Sequence, residues 1–330
     1  MKHGTMKIMN PSNAVASASM MTMGETDAKN VSVNYRTFCD SFRRREDSLT
    51  LLYQLHQLIK AVQRHRGISM GLLAGDKDFL AEFSVLQSQL ERRLATLETF
   101  AHSTGGLLSD RDKENLHLAW VTIRQNWQDD DLSDNFELHS HFIHQLLCMA
   151  FNLAKTLEGP LFEDMQDAAE LSHSGVSYPI AFSRIELLNF IGKQMPEMIE
   201  QIAKLRGLST YAASSQNPAE LMLGKLRYLL QVIQQHSERT RQQADRLHMI
   251  LLGAVPSLKN IKDLELKLMF LINTVENDVL INASPKTGSH QLFDLATEII
   301  EVYWGVVCDG FALVRKWHQG DIDVWAKMSS

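Results

Sequence analysis

The sequence predicts an all-α fold, and three observations carry that reading. No segment longer than a few residues alternates apolar and polar positions, whereas three- and four-residue apolar spacing recurs along most of the chain. Two stripes keep it unbroken: Leu223, Leu226, Leu230, Ile233, Ser237, Thr240, Ala244, Leu247, Leu251, and Ile261, Leu264, Leu268, Leu271, Val275, Val279. Such stripes are the seams of antiparallel bundle helices. Ser172–Pro179, rich in Ser, Gly and Pro, then breaks helical propensity with four long helical patterns on either side. The expected architecture is two antiparallel four-helix bundles joined side by side, each burying its own seam.

Helical patterns cover roughly 35–73, 79–101, 110–127, 134–157, 179–214, 218–252, 258–282 and 289–317, with a shorter one over 160–173. Ser109 and Ser133 suit N-caps. Asn217-Pro218-Ala219-Glu220 places a capping side chain before a first-turn proline and a glutamate that can reach back to it. Pro196 falls inside one pattern, with Gly192 four residues before it. Because the apolar stripe continues past that point, one kinked helix is expected. The expected division is a tail over 1–34, a first bundle over 35–173, a second over 174–320 and a C-terminal tail over 321–330.

Bulk properties narrow the class. The 330 residues are 45% hydrophobic and 22% charged, which suits a soluble globular protein. A net charge of -6 argues against general nucleic-acid binding but not against one small anion, because a local arginine pair can outweigh the global sign. Cys39, Cys148 and Cys308 are odd in number and widely spaced, so a reducing compartment, the cytoplasm, is expected. No apolar run reaches 18 residues, and residues 1–34 lack the apolar core of a signal peptide. Met6, Met9, Met20, Met21 and Met23 are alternative starts to Met1.

One motif occurs twice. Gln63-Arg64-His65-Arg66-Gly67-Ile68-Ser69 and Ala203-Lys204-Leu205-Arg206-Gly207-Leu208-Ser209 each lie in a long helix, once per half. Ile59, Val62, Arg66, Ser69 and Leu73 match the spacing of Ile199, Ile202, Arg206, Ser209 and Ala213, so both arginines share a side with the apolar stripe. An inward guanidinium needs a partner, since an unpaired buried charge costs several kcal/mol, roughly. Positions 62, 63, 69, 70, 202, 203, 209 and 210 are uncharged, so neither stripe supplies a carboxylate one turn away. A trigonal oxyanion suits the planar guanidinium fork. Gly67 and Gly207 permit close approach, and Ser69 and Ser209 add hydroxyls on the same face.

These motifs, with the helical pattern and the length, resemble the nitrate- and nitrite-sensing (NIT) domain of bacterial signalling proteins, over about residues 45 to 318. That resemblance implies two four-helix bundles with nitrate or nitrite held by arginines between them, Arg66 first and Arg206 next. It implies sensing without chemistry, so neither an enzyme nor a cofactor is expected. A further arginine from the second bundle completes such a pocket, and Arg227, Arg239, Arg241 and Arg246 are all eligible. Family members carry an output module. Residues 319–330 are too few for one, so the expectation is a stand-alone cytoplasmic sensor that signals by conformational change to a protein partner or a second copy.

The competing expectation is a helical interaction module without a small ligand, in which both motifs are packing devices. A glutamate or aspartate from another helix beside Arg66 and Arg206 would favour it. Metal-like spacings are read as ordinary polar helix faces: Glu137, His139, His141 and His144, and the Glu-x-x-His pairs Glu114/His117 and Glu170/His173. His65 is read as a core histidine next to the motif. Arg43-Arg44-Arg45 and Asp129-Asp130-Asp131 are read as solvated runs.

Overall fold

The computed structural model describes residues 25–159, 180–281 and 287–328, with side chains over 35–159, 182–281 and 287–327. Eight long helices make up the described chain: α1 (Glu25–Leu73), α2 (Leu80–Ser103), α3 (Asp110–Arg124), α4 (Leu132–Lys155), α5, α6 (Glu220–Ile250), α7 and α8 (Ser289–Met328). α5 joins Ile180–Asn189 to Met195–Ser214 through a π-helical segment, Phe190–Gln194, and α7 (Asn260–Thr274) runs on into a second, Val275–Ile281. No strand occurs among the described residues. Among the described residues, no helix is long and apolar enough to cross a membrane. The expected short helix over 160–173 and the boundary at 172–179 lie outside the described residues.

The fold is built around two crossing helices. α1 packs on α2, α4 and α5, while α5 packs on α1, α6 and α8. Buried apolar side chains of both chain halves belong to one cluster that extends from Leu49 to Val314. α1 supplies Leu51, Leu55, Leu58 and Val62, and α5 supplies Met195, Ile199, Ile202 and Leu205, each fully buried. Burying one such side chain stabilises by about 1.5–3 kcal/mol.

Pro196 is buried just after the π segment, in the first turn of the following α-helical stretch. The wider π turn absorbs the hydrogen bond that proline cannot make, so the helix continues as one element. Gly192 lies in that segment because a Cβ there would come within 2.8 Å of Ala154 Cβ on α4.

Several boundaries differ from the periodicity. α1 begins at Glu25, inside the expected tail, where no glycine or proline interrupts the ten residues that precede the apolar stripe. α8 runs past Trp317 to Met328, through the expected C-terminal tail. Trp325 stacks on Phe38 of α1 at 4.6 Å, a small second core that only the fold reveals. Ser109 caps α3 in a reciprocal box with Asp112. Ser133 does not cap α4; Asp131 does, accepting from the Ser133 backbone N–H. Asn217 does not cap α6, which starts at Glu220 after Ala219 with no side-chain cap.

Candidate functional site

The two motifs meet. Gly67 of α1 and Gly207 of α5 face each other where the helices cross, and a Cβ on Gly207 would lie 3.7 Å from Gly67 Cα and 3.0 Å from Met70 Sδ. A Cβ on Gly67 would strike Phe293 of α8 at 2.8 Å and sit 3.5 Å from Arg206 Nε. Both motif glycines therefore serve close approach of helix to helix. The crossing brings Arg66 and Arg206 into one buried region, with exposures of 0% and 2%.

Arg66 has a protein counter-ion. Its Nη1 and Nη2 donate to the two carboxylate oxygens of Glu200 on α5, at 2.6 and 3.1 Å. Nη1 also donates to Ser140 Oγ on α4 at 3.0 Å, and Gln63 Nε2 donates to Glu200 Oε2 at 2.9 Å. Glu200 is 5% exposed. This corrects the expectation that Arg66 lacks a carboxylate: the partner comes from the other motif helix, six residues before Arg206.

Arg206 has no ion pair among the described residues. Its Nη1 donates to Thr297 Oγ1 of α8 at 2.9 Å, its Nε is buried without a partner, and its Cζ lies 4.7 Å from the Phe293 ring centroid. Burial, then the neighbouring Arg64 and Arg66 charges, push its pKa down to about 9, against the weaker opposing pull of Glu200 and Glu301. The guanidinium still carries its proton at neutral pH. Arg64 pairs with Glu82 through Nε and places its own guanidinium 5.3 Å from the same Phe293 ring. Two of the three clustered arginines are thus paired with carboxylates, and Arg206 is the one without an ion pair among the described residues.

Neither motif serine offers a free donor. Ser69 Oγ has Asn135 Oδ1 at 2.8 Å and the Arg66 carbonyl at 3.0 Å as acceptors, and Ser209 Oγ donates to the Arg206 carbonyl at 3.2 Å. Both hydroxyls steady the arginine's own helical turn. The four arginines eligible to complete the pocket all lie on α6. Arg227 pairs with Glu220, Arg241 with Glu238, and Arg246 with Glu186 at 3.9 Å. Arg239 and Arg246 line a separate polar cleft between α5 and α6. Arg64, Glu200, Phe293 and Thr297 are the members of the cluster that sequence reasoning missed. Glu200 did leave a signal, as a lone carboxylate among Met198, Ile199, Ile202 and Ala203.

A chain of histidines adjoins the site. His65 and His139, both fully buried, approach at 2.8 Å between Nδ1 and Nε2. His139 Nδ1 lies 2.7 Å from the Asn135 carbonyl, which can only accept. Neutral His139 therefore presents Nε2 as an acceptor, and His65 Nδ1 donates to it. Burial drives the His139 pKa down to about 3, and burial together with His139 holds His65 well below its ordinary value.

Among the described residues the metal-like spacings do not converge. His141 and His144 are exposed and bond neighbours on their own helix, Gln145 and Cys148, and Glu137 pairs with Lys225. His117 faces Glu98 at 3.5 Å, and Glu170 and His173 lie outside the described residues.

Comparison with models of protein families, with curated proteins and with solved structures finds no match in any of the three.

Proposed function

We propose that the protein is a sensor for a small trigonal oxyanion, nitrate or nitrite, held at the α1–α5–α8 junction by Arg206 together with Arg66. One observation carries the reading: Arg206, 2% exposed at the crossing of the two motif helices, has no ion pair among the described residues and keeps its charge at neutral pH. An unmatched buried charge is costly, and a monoanion both removes that cost and fits the planar fork. The resemblance of both motifs to the nitrate- and nitrite-sensing domain points to the same ligand class. In this reading the chain halves act as two bundles, and closure on the anion signals from the cytoplasm to a partner protein or a second copy. The site binds and does no chemistry.

The Arg66–Glu200 pair favours a second reading, a ligand-free helical interaction module in which the first motif is a packing device. Thermal unfolding in millimolar sodium nitrate, sodium nitrite and sodium chloride separates the two. A ligand that binds only the folded chain stabilises it by about 2.7 kcal/mol at one hundred times its dissociation constant. The sensor reading expects a rise in melting temperature with nitrate or nitrite, none with chloride, and none in Arg206→Met. Equal response to all three salts, or an undiminished response in Arg206→Met, leaves only the interaction module.

A further inference from the structure

The proposed site already contains an anion of its own. The Glu200 carboxylate meets the Arg66 fork through both of its oxygens, at 2.6 and 3.1 Å, as a trigonal oxyanion would. Both cannot occupy the Nη1–Nη2 edge of Arg66 at once. Glu200 also has a second cation within reach. Lys204, one turn further along α5, holds Nζ 4.0 Å from Glu200 Oε1, and its side chain is 27% exposed against 7% for that of Glu200. A rotamer change carries the carboxylate from Arg66 on α1 to Lys204 on its own helix without moving the α5 backbone.

We propose that Glu200 is a tethered competitor: it occupies Arg66 while the receptor is empty and passes to Lys204 when the oxyanion enters. This rests on the oxyanion reading above. Two consequences follow. Apparent affinity is the intrinsic affinity multiplied by the fraction of empty molecules in which Arg66 is free, so Glu200 sets the concentration at which the sensor responds. The hand-over also cuts a cross-tie between α1 and α5 beside the Gly67–Gly207 crossing. Binding at Arg206 is thereby coupled to the packing of the two central helices, since a ligand shifts a conformation only through its differential interaction with the two states.

Isothermal calorimetry on the full chain, titrated separately with sodium nitrate and sodium nitrite, tests the proposal. Glu200→Gln removes the competing charge, and Glu200→Asp keeps it but shortens its reach, a milder change should Gln at a buried pair prevent folding. The expected result is binding at least tenfold tighter than native in Glu200→Gln, an intermediate gain in Glu200→Asp, and binding several-fold weaker than native in Lys204→Met. Loss of binding in Arg206→Met, with unchanged or weaker binding in both Glu200 variants, overturns the competitor and leaves the oxyanion site standing. Native constants retained in Lys204→Met overturn the hand-over. Absence of binding in the native chain and in both Glu200 variants overturns the site itself.

Discussion

Arg66 and Arg206 occupy matching positions of one motif yet have different electrostatic surroundings. Arg66 has a protein counter-ion: Glu200 through two bonds, with Ser140 accepting a third. Arg206 has a threonine hydroxyl and an aromatic face. Removing one member of a buried pair leaves the other charge stranded, at about 3–5 kcal/mol. Glu200→Ala is therefore expected to destabilise the chain by about that amount in urea denaturation without added anion. Arg206→Met removes a charge that has no partner to strand, so its expected effect in the same measurement is neutral or stabilising. Equal destabilisation by the two variants would show that Arg206 also has a counter-ion in solution.

Each central helix is shaped by a few small residues. Along α1, Gly67 and Gly71 admit Phe293 and Phe79, whose ring carbons would lie 2.8 and 2.9 Å from an added Cβ. Inserting a methyl group into such a contact costs about 1–3 kcal/mol. Gly67→Ala is expected to fall in that range, because Phe293 is itself buried at 1% exposure and Arg206 lies behind the same point. Gly207→Ala meets the end of a flexible side chain, Met70 Sδ at 3.0 Å, and is expected to cost less. Urea midpoints for the two variants check the order. On α5, the π segment Phe190–Gln194 lets the helix pass Pro196 while Gly192 packs against Ala154 of α4. The helical spacing and the continuity of α5 past Pro196 were both legible in the sequence. The caps were less so, since Ser133 and Asn217 have the right chemistry in the wrong register, and capping depends on where the first helical turn begins.

The whole molecule keeps several histidines neutral in its interior. Burial drives His56, His139 and His318 to about 3, with Arg45 and Arg184 adding to the effect at His318. An unfolded histidine titrates near 6.5, so between about 6.5 and 3 the unfolded chain binds more protons than the folded one. Stability contributed by these groups is therefore complete above about pH 6.5 and is lost as the pH falls through that window. Each contributes a slope of up to about 1.4 kcal/mol per pH unit. Unfolding free energies measured from pH 7.5 down to 4.5 should decline accordingly, and His139→Gln should decline less steeply than native. A flat profile would mean that protons reach these rings in the folded state.

By itself the sequence determined the all-helical class, the positions of the eight long helices apart from the start of α1 and the end of α8, and the two arginine-glycine motifs facing inward. Each of these follows from local periodicity or composition, so a single helix contains the evidence. Tertiary structure decided what the motifs face. Glu200 reaches Arg66 across 134 positions, and Thr297 reaches Arg206 across 91. No spacing rule within one helix can find such partners. Position along the helix brought both arginines to the core, while the crossing at Gly67 and Gly207 gave a carboxylate to one and left the other its charge.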